Sequence, residues 1–474
     1  ALAERPDVQF IHDNTAMEML RPVETNTAVQ FRTIEWGIDM IDADEVWAMG
    51  YRGEGVIVGG QDTGYEWDHP ALIGKYKGWD GANADHNYHW HDAIHQINPL
   101  HNDPVINPNN NPCGLDVDYP CDDHNHGTHT MGTMVGEDGN NQIGVAPKAR
   151  WIACRNMERG YGSPATYIEC FEWFLAPTDL NNENPDPAKA PHVIANSWSC
   201  PEIEGCNPNN FGLMRTAVEN LKAAGVVVVV SAGNSGSQGC GSVNTPSAIF
   251  ENSFTVGATN QQDSIAGFSS RGPVNVDNSL RLKPNISAPG VGVRSCIRDG
   301  QYATYNGTSM AGPHVAGAVA LLISANPELA GQVELIETIL EETAVSKQTE
   351  EDCGNIDGEN IPNNTYGYGR IDIKKAVDQA LELLDVQNGK PRAELDVALF
   401  PNPVGDQLSL RYLNLIGSAM LTLTDMQGRE IFRYDWVDFN QGQVDIDISK
   451  LPAGAYFYSF RNMEQQRVGK IIKQ

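Results

Sequence analysis

The sequence predicts an α/β chain: a doubly wound parallel sheet followed by a small C-terminal antiparallel β-sandwich. Three observations carry this expectation. Short apolar runs rich in β-branched residues, such as 226–230 and Val193-Ile194-Ala195, read as strands buried on both faces. Helix-like stretches separate these runs, as the crossovers of a parallel sheet require. Beyond residue 385 the pattern changes to period-two alternation with turn residues between the segments, which suits antiparallel strands.

The elements follow in order. Val56-Ile57-Val58 is a strand that runs into Gly59-Gly60-Gln61-Asp62. Trp151-Ile152-Ala153-Cys154 precedes a helix expected over 166–175, and Val193-Ile194-Ala195 leads into Asn196-Ser197-Trp198. A helix expected over 214–224 is followed by the strand at 226–230, which ends at Ser231-Ala232-Gly233-Asn234. Phe254-Thr255-Val256 is a further strand, and the apolar stretch 315–325 reads as a helix stopped by Asn326-Pro327. Functional groups of such sheets gather at the carboxyl ends of strands, where Asp62 and Asn234 both fall. A helix-like stretch at 371–384 gives way to Gln387-Asn388-Gly389-Lys390-Pro391, a linker. Alternating strands are then expected at 407–412, 420–424, 444–448 and 456–460, with Gln427-Gly428 and Pro452-Ala453-Gly454 as turns. The organisation is thus an arm at 1–30, an α/β domain at 31–385, a linker at 386–394 and a sandwich at 395–474.

The chain has 474 residues, with 32 Lys plus Arg against 61 Asp plus Glu, a net charge of −29. Such a polyanion repels nucleic acid and acidic membrane surfaces, which excludes both as expected partners. No run approaches the ~18–20 apolar residues of a membrane-spanning helix. The start, Ala-Leu-Ala-Glu-Arg, lacks a basic and an apolar leader region, so either the protein stays inside the cell or a leader lies upstream. The nine cysteines favour export. Cys113 with Cys121, and Cys200 with Cys206, sit close together in loop-like sequence without zinc-site spacing and read as disulfides, and the odd total leaves at least one thiol over.

Three segments carry chemistry: Gly60-Gln61-Asp62-Thr63-Gly64, the stretch from His124 to Gly132 containing His126-Gly127-Thr128-His129, and Asn306-Gly307-Thr308-Ser309-Met310-Ala311-Gly312-Pro313-His314. Each places a reactive side chain beside glycines, where the backbone can turn tightly or approach a substrate. Singly, Asp62 reads equally as a turn residue, His126 as a core histidine and Ser309 as a helix cap. Together they supply an acid, a base and a nucleophile in the order Asp, His, Ser.

These motifs, with Ser231-Ala232-Gly233-Asn234 between the second and third, resemble those of the subtilisin-like serine proteases, the subtilases. Trp36-Gly37-Ile38-Asp39, Glu45-Val46-Trp47-Ala48-Met49-Gly50 and 86–93 are most similar to the bacillopeptidase F-like branch. The likeness covers about 31–385. It implies an endopeptidase acting on polypeptide substrates, with Ser309 as nucleophile, His126 as general base and then acid, and Asp62 orienting the imidazole. Asn234 would donate its side-chain amide to the oxyanion, beside the Ser309 N–H. His129 and His314 are expected to pack and hydrogen-bond rather than react.

Ser197-Trp198-Ser199 resembles the family's substrate-binding strand, where an extended peptide adds to a sheet edge; an ordinary buried strand is the other reading. Ser199 stands where the family usually has Gly, so the preference for large apolar residues does not carry over. Catalysis would need no cofactor. The family's common calcium site is expected to be missing, because His69-Pro70 is followed by Ala71 instead of Asp and the loop at 140–147 is short. A carboxylate cage elsewhere, for example in 116–123, stays open. His86, His89, His91, His95 and His101 cluster in one insertion, and His91 and His95 have an i, i+4 spacing that zinc can use. No Glu completes a metalloprotease arrangement, and the insertion reads as structural.

The ends add to this. Residues 5–14 resemble the last strand of a subtilase propeptide, which implies self-cleavage between Asn14 and Phe31; an ordinary arm is the alternative. Phe400-Pro401-Asn402-Pro403-Val404, Asp425-Met426-Gln427-Gly428, Leu451-Pro452-Ala453-Gly454-Ala455-Tyr456 and Lys470-Ile471-Ile472-Lys473-Gln474 resemble the C-terminal sorting domain of the type IX secretion system of Bacteroidota. That implies secretion or surface display, with the type IX machinery as a partner. Two rivals remain: a silent binding protein on a protease scaffold, and a processing protease dedicated to one substrate.

Overall fold

The computed structural model describes residues 17–18, 23–24, 33–101, 111–199, 210–354, 356–387, 396–415, 418–427, 429–437, 440–461 and 466–474. The chain divides into two units, Ala1–Ala380 and Leu381–Gln474.

The first unit is built on a seven-stranded sheet. Its strands are β1 (Ile57–Asp62), β2 (Trp90–Asp92), β3 (Arg150–Arg155), β4 (Val193–Asn196), β5 (Val227–Ser231), β6 (Phe254–Thr259) and β7 (Ile286–Pro289). Their spatial order is β7-β6-β5-β4-β1-β3-β2, and every pairing is parallel. From β1 the chain goes to the edge strand β2, comes back to β3 beside β1, and then crosses to β4 on the other side of β1. The strand order thus reverses at β1, and sheets of this kind bind ligands at the carboxyl ends of strands beside such a reversal.

Four helices cover the faces: α1 (His126–Val135), α2 (Pro164–Leu175), α3 (Phe211–Ala223) and α4 (Thr308–Ala325). α2 and α3 pack with Ile152, Cys154, Ile194, Val228 and Val230 in one core cluster. α1 and α4 pack on each other, and α4 faces Val229 through Gly312 on the opposite side of the sheet. Residues on both pleats of β5 are thus buried, which explains its unbroken valine run. α4 is the one described helix long and apolar enough to cross a membrane, and 94% of it is buried inside the protein. α2 starts two residues before the expected 166, because Ser163 and Thr166 form a capping box and Pro164 takes the first helical position.

β2 was not expected: it lies in the histidine-rich insertion and is tied by Asp92 to Arg155 of β3. Disulfides join Cys113 to Cys121, Cys154 of β3 to Cys170 of α2, and Cys240 to Cys353. Cys296 is a buried free thiol, and burial raises its pKa. The expected Cys200–Cys206 pair and the propeptide-like stretch 5–14 lie outside the described residues. The last helix of this region, Ile373–Gln387, continues two residues into the expected 386–394 linker.

The second unit carries two antiparallel sheets. One orders Asp396–Phe400, Gln407–Leu415 and Asn440–Asp447; the other orders Glu430–Val437, Ser418–Thr424, Gly454–Arg461 and Gln466–Lys473. Leu408, Leu410 and Tyr412 from the first meet Leu421, Leu423, Tyr456, Phe460 and Ile471 from the second in one core. That is the arrangement of a small sandwich.

Candidate active site

Asp62 closes β1 and His126 opens α1. Both are buried, and His126 Nδ1 lies 2.7 Å from Asp62 Oδ1. A carboxylate only accepts, so Nδ1 carries the proton and Nε2 holds the lone pair of the neutral ring. That Nε2 is buried and has no hydrogen-bond partner among the described residues. The Thr63 N–H donates to the same carboxylate oxygen at 2.8 Å, fixing its direction. Two glycines allow the approach. Gly64 turns at φ +104, and a Cβ there would overlap the Cys121 carbonyl oxygen. A Cβ on Gly127 would overlap the Gly64 carbonyl oxygen.

Ser309 is the second residue of α4. Its Oγ donates to the Ser197 carbonyl at 3.1 Å, and the Ser197 Oγ donates to the Ser309 carbonyl at 3.1 Å. Pro313 explains the second bond. It has no N–H, so the Ser309 carbonyl four residues earlier has no helical donor and takes a hydroxyl instead. Asn196, which precedes Ser197, pairs with Gln61, which precedes Asp62. The sheet therefore sets the acid and the partner of Ser309 on adjacent strand ends.

Asn234 follows β5. Its Oδ1 accepts from the Thr308 N–H at 2.9 Å and the Thr308 hydroxyl at 3.0 Å. The two donors fix the amide orientation and leave Nδ2 to donate elsewhere. The Ser309 N–H belongs to the first helical turn, whose donors have no acceptor within the helix. One side-chain donor and one backbone donor are thus available at a helix N-terminus, where negative charge is favoured.

Trp198 sits differently from a substrate-facing residue. Its indole is 1% exposed and stacks on Tyr167 with ring centroids 3.7 Å apart, inside the core beneath α2. Only its backbone remains for a peptide, and Ser197 and Ser199 are also buried. His129 and His314 bond backbone carbonyls of Val293 and Met310 at 3.2 and 2.8 Å. Burial pushes them down to about 3 and about 4, so both stay neutral.

In the histidine insertion, His91 Nε2 and His95 Nε2 lie 2.8 and 2.9 Å from one oxygen of Glu169, and His95 Nδ1 lies 2.5 Å from Asp116. Burial lowers the His95 pKa, but the two carboxylates outweigh it and raise it. Both ring nitrogens are therefore spent on carboxylates, and the group reads as an ion-pair cluster. Among the described residues no three His, Cys, Asp or Glu side chains converge as a metal cage.

Sequence reading missed several parts of the site. Thr308, one residue before Ser309, aligns the Asn234 amide. Behind Asp62, Gln61 Nε2 lies 2.5 Å from Asn196 Oδ1, and Asn156 Nδ2 donates to Gln61 Oε1 at 2.9 Å. This buried amide chain joins β1, β4 and the residue after β3, and satisfies the buried Gln61 side chain. The N-terminal arm forms two short strands. Met17–Glu18 pairs antiparallel with Tyr161–Gly162, and Val23–Glu24 with Tyr305–Asn306, which ends three residues before Ser309.

Comparison with known proteins agrees with this architecture. Residues 53–369 match the Subtilase family, and residues 398–474 match the Secretion system C-terminal sorting domain. The chain is 38% identical to bacillopeptidase F of Bacillus subtilis over 402 residues, 82% of this chain and 25% of that protein. It is 29% identical to subtilisin E of the same organism over 298 residues, 62% of each chain. It is 29% identical to subtilisin DY of Bacillus licheniformis over 302 residues, 63% of this chain and 87% of that one. The chain thus spans a quarter of the length of bacillopeptidase F and under two thirds of that of subtilisin E.

Proposed function

Because the chain belongs to the subtilase family, we propose that it is a serine endopeptidase that hydrolyses polypeptides through an acyl-enzyme on Ser309. The observation that carries this reading is the 2.7 Å Asp62–His126 hydrogen bond, with the buried Nε2 of His126 left unpaired. Ser309 Oγ rotates about χ1 from the Ser197 carbonyl toward Nε2, gives it a proton and attacks the substrate carbonyl carbon. Asp62 stabilises the imidazolium that forms. The oxyanion accepts hydrogen bonds from Asn234 Nδ2 and the Ser309 N–H. When the C–N bond breaks, His126 returns the proton to the leaving amine, and a water activated by the same base then releases the acid. Every proton moves between protein, substrate and water, so the scheme needs no cofactor.

The pairing of Val23–Glu24 with Tyr305–Asn306, three residues before Ser309, supports a second part of the reading. The arm binds as a substrate does, and the protein matures by cutting itself between Asn14 and Phe31. The tail at 398–474 supports export through the type IX system to the cell surface or beyond, where disulfides persist.

A serine-directed fluorophosphonate tests the activity. Mass spectrometry should locate one adduct, on Ser309, which a Ser309→Ala protein lacks. No adduct on folded protein freed of its arm would overturn the reading in favour of a silent binding protein. Maturation of isolated Ser309→Ala at the same bond as the parent would overturn self-cleavage.

A further inference from the structure

We propose that Asp122 is a positioning residue that sets the approach of His126 to Asp62, an inference that rests on the endopeptidase reading above. Asp122 lies four residues before His126 and is 4% exposed. One carboxylate accepts five hydrogen bonds. Oδ1 takes the Thr63 hydroxyl at 2.9 Å and the N–H groups of His124 and Asn125 at 2.8 and 3.0 Å. Oδ2 takes the Thr128 N–H at 3.0 Å and the Thr128 hydroxyl at 2.6 Å. Thr63 is the residue after Asp62, and Thr128 is two residues after His126. The carboxylate therefore straps the end of β1 to the first turn of α1, with one oxygen on each.

The surrounding bonds repeat the connection. The Thr63 hydroxyl accepts from the Gly127 N–H at 3.1 Å, and the Thr128 hydroxyl accepts from the Glu66 N–H at 3.0 Å. Thr63 in turn holds Asp62 Oδ1 through its own N–H. Asn125, the residue at the N-cap of α1, has φ +86 and makes no side-chain cap bond. Asp122 therefore does the capping, and its charge lies where the helix dipole favours it.

The strap is separable from the anchoring of its loop. The Asp122 carbonyl accepts from Arg298 Nη1 at 3.1 Å, the neighbouring Asp123 Oδ1 accepts from the Arg159 N–H at 2.8 Å, and Cys113–Cys121 closes the loop. None of these uses the Asp122 carboxylate. Losing that carboxylate leaves the loop in place and frees α1 to shift against β1. Asn at 122 keeps the shape but puts an amide donor against donors on one side, so one half of the strap opens.

The test compares kcat and KM for peptide hydrolysis by the full chain, brought to the same N-terminus as the active parent and checked by mass spectrometry. Asp122→Asn should lower kcat about 10²-fold with KM changed less than about twofold, because a shift of about 1 Å in a reacting pair costs that much. In an Asp62→Ala background the same change should cost less than about threefold, since no pair is left to align, whereas a general structural role would cost as much as before. Asp123→Asn is the loop control and should keep the parent kcat. If Asp122→Asn does not fold, Thr128→Val, which removes one donor of the strap, replaces it, with a kcat loss of about tenfold that again disappears with Asp62→Ala. A parental kcat in the folded variant, or an undiminished loss in the Asp62→Ala background, overturns the proposal. Ser309→Ala separates the two readings. Hydrolysis by that protein overturns the endopeptidase assignment, whereas an inert Ser309→Ala beside a fully active Asp122→Asn overturns the positioning role alone.

Discussion

Asp123→Asn should flatten the pH dependence of stability. Asp92 and Asp123 share one guanidinium. Asp92 takes Arg155 Nε and Nη2 at 2.9 and 3.1 Å, while Asp123 Oδ2 stands 3.6 Å from Nη1 without a hydrogen bond. Burial pushes the Asp123 carboxyl up to about 8; Arg155 opposes this, and Asp122 and Glu158 add to it. The folded chain therefore keeps a proton that the unfolded chain loses near pH 4. A raised folded pKa means stability that is present at low pH and falls as pH rises from about 4 to about 8. Between pH 6 and pH 8 the loss is about 2 kcal/mol, from ~1.4 kcal/mol per pH unit less the folded carboxyl's own ionisation near 8. Asn does not titrate, and any fixed cost of an amide beside Arg155 is the same at both pH values.

Urea unfolding of both proteins at pH 6 and 8, in a Ser309→Ala background to prevent self-digestion, reads the difference. The parent should lose about 2 kcal/mol more than the variant. Lys283 works the other way. Its buried Nζ bonds Ser253 O and Asn285 Oδ1, and burial pushes it down to about 7. The unfolded lysine holds its proton to higher pH, so stability rises with pH above about 7 in both proteins, and the comparison cancels it. Parallel changes in parent and variant would refute a protonated Asp123.

Asn234→Ala should lower kcat about 10²–10³-fold, the size known for a subtilisin's oxyanion asparagine, with KM nearly unchanged in steady-state assays. Ser197→Ala leaves the buried Ser309 carbonyl without a donor and should cost about 1–3 kcal/mol by urea unfolding; adding Pro313→Ala restores a helical N–H to that carbonyl and should recover most of it. Cys240→Ser with Cys353→Ser opens a covalent link across 113 residues and should cost about 3–5 kcal/mol, measured by urea unfolding and absent when parent and variant are compared under reduction.

What the sequence displayed and what it hid have physical causes. Strands buried on both faces are apolar along most of their length, so the apolar runs of β4 and β5 stand out in composition. β2 was hidden because Trp90-His91-Asp92 is short and pairs on one side only, with its register supported by the distant Asp92–Arg155 contact. In the second unit, Gln466–Lys473 carries charged residues along a chain of which Val468 is 69% exposed, so its alternation is weak. Asp62, His126, Ser309 and Asn234 stand out because each sits in a glycine-containing motif, and at Gly64, Gly127 and Gly233 a side chain would clash or the backbone turns at positive φ. Asp122 and Thr308 do not, because acidic and hydroxyl residues are common in loops and only the fold shows which donors they meet.

Ser197 and Pro313 show why local sequence underdetermines the site. A proline six positions into a helix reads as a breaker, and a serine after a strand reads as surface. The proline removes the donor that would bond the Ser309 carbonyl, and β4, adjacent to β1, delivers the Ser197 hydroxyl to that vacancy. The reciprocal bond from Ser309 Oγ to the Ser197 carbonyl then ties the first turn of α4 to the strand next to Asp62. The helix that carries the nucleophile is thus joined to β4, the neighbour of the strand that carries the acid, and the position of Ser309 is set by the sheet as well as by its own helix. Neither residue has this meaning alone; it arises from a parallel register between segments more than a hundred residues apart.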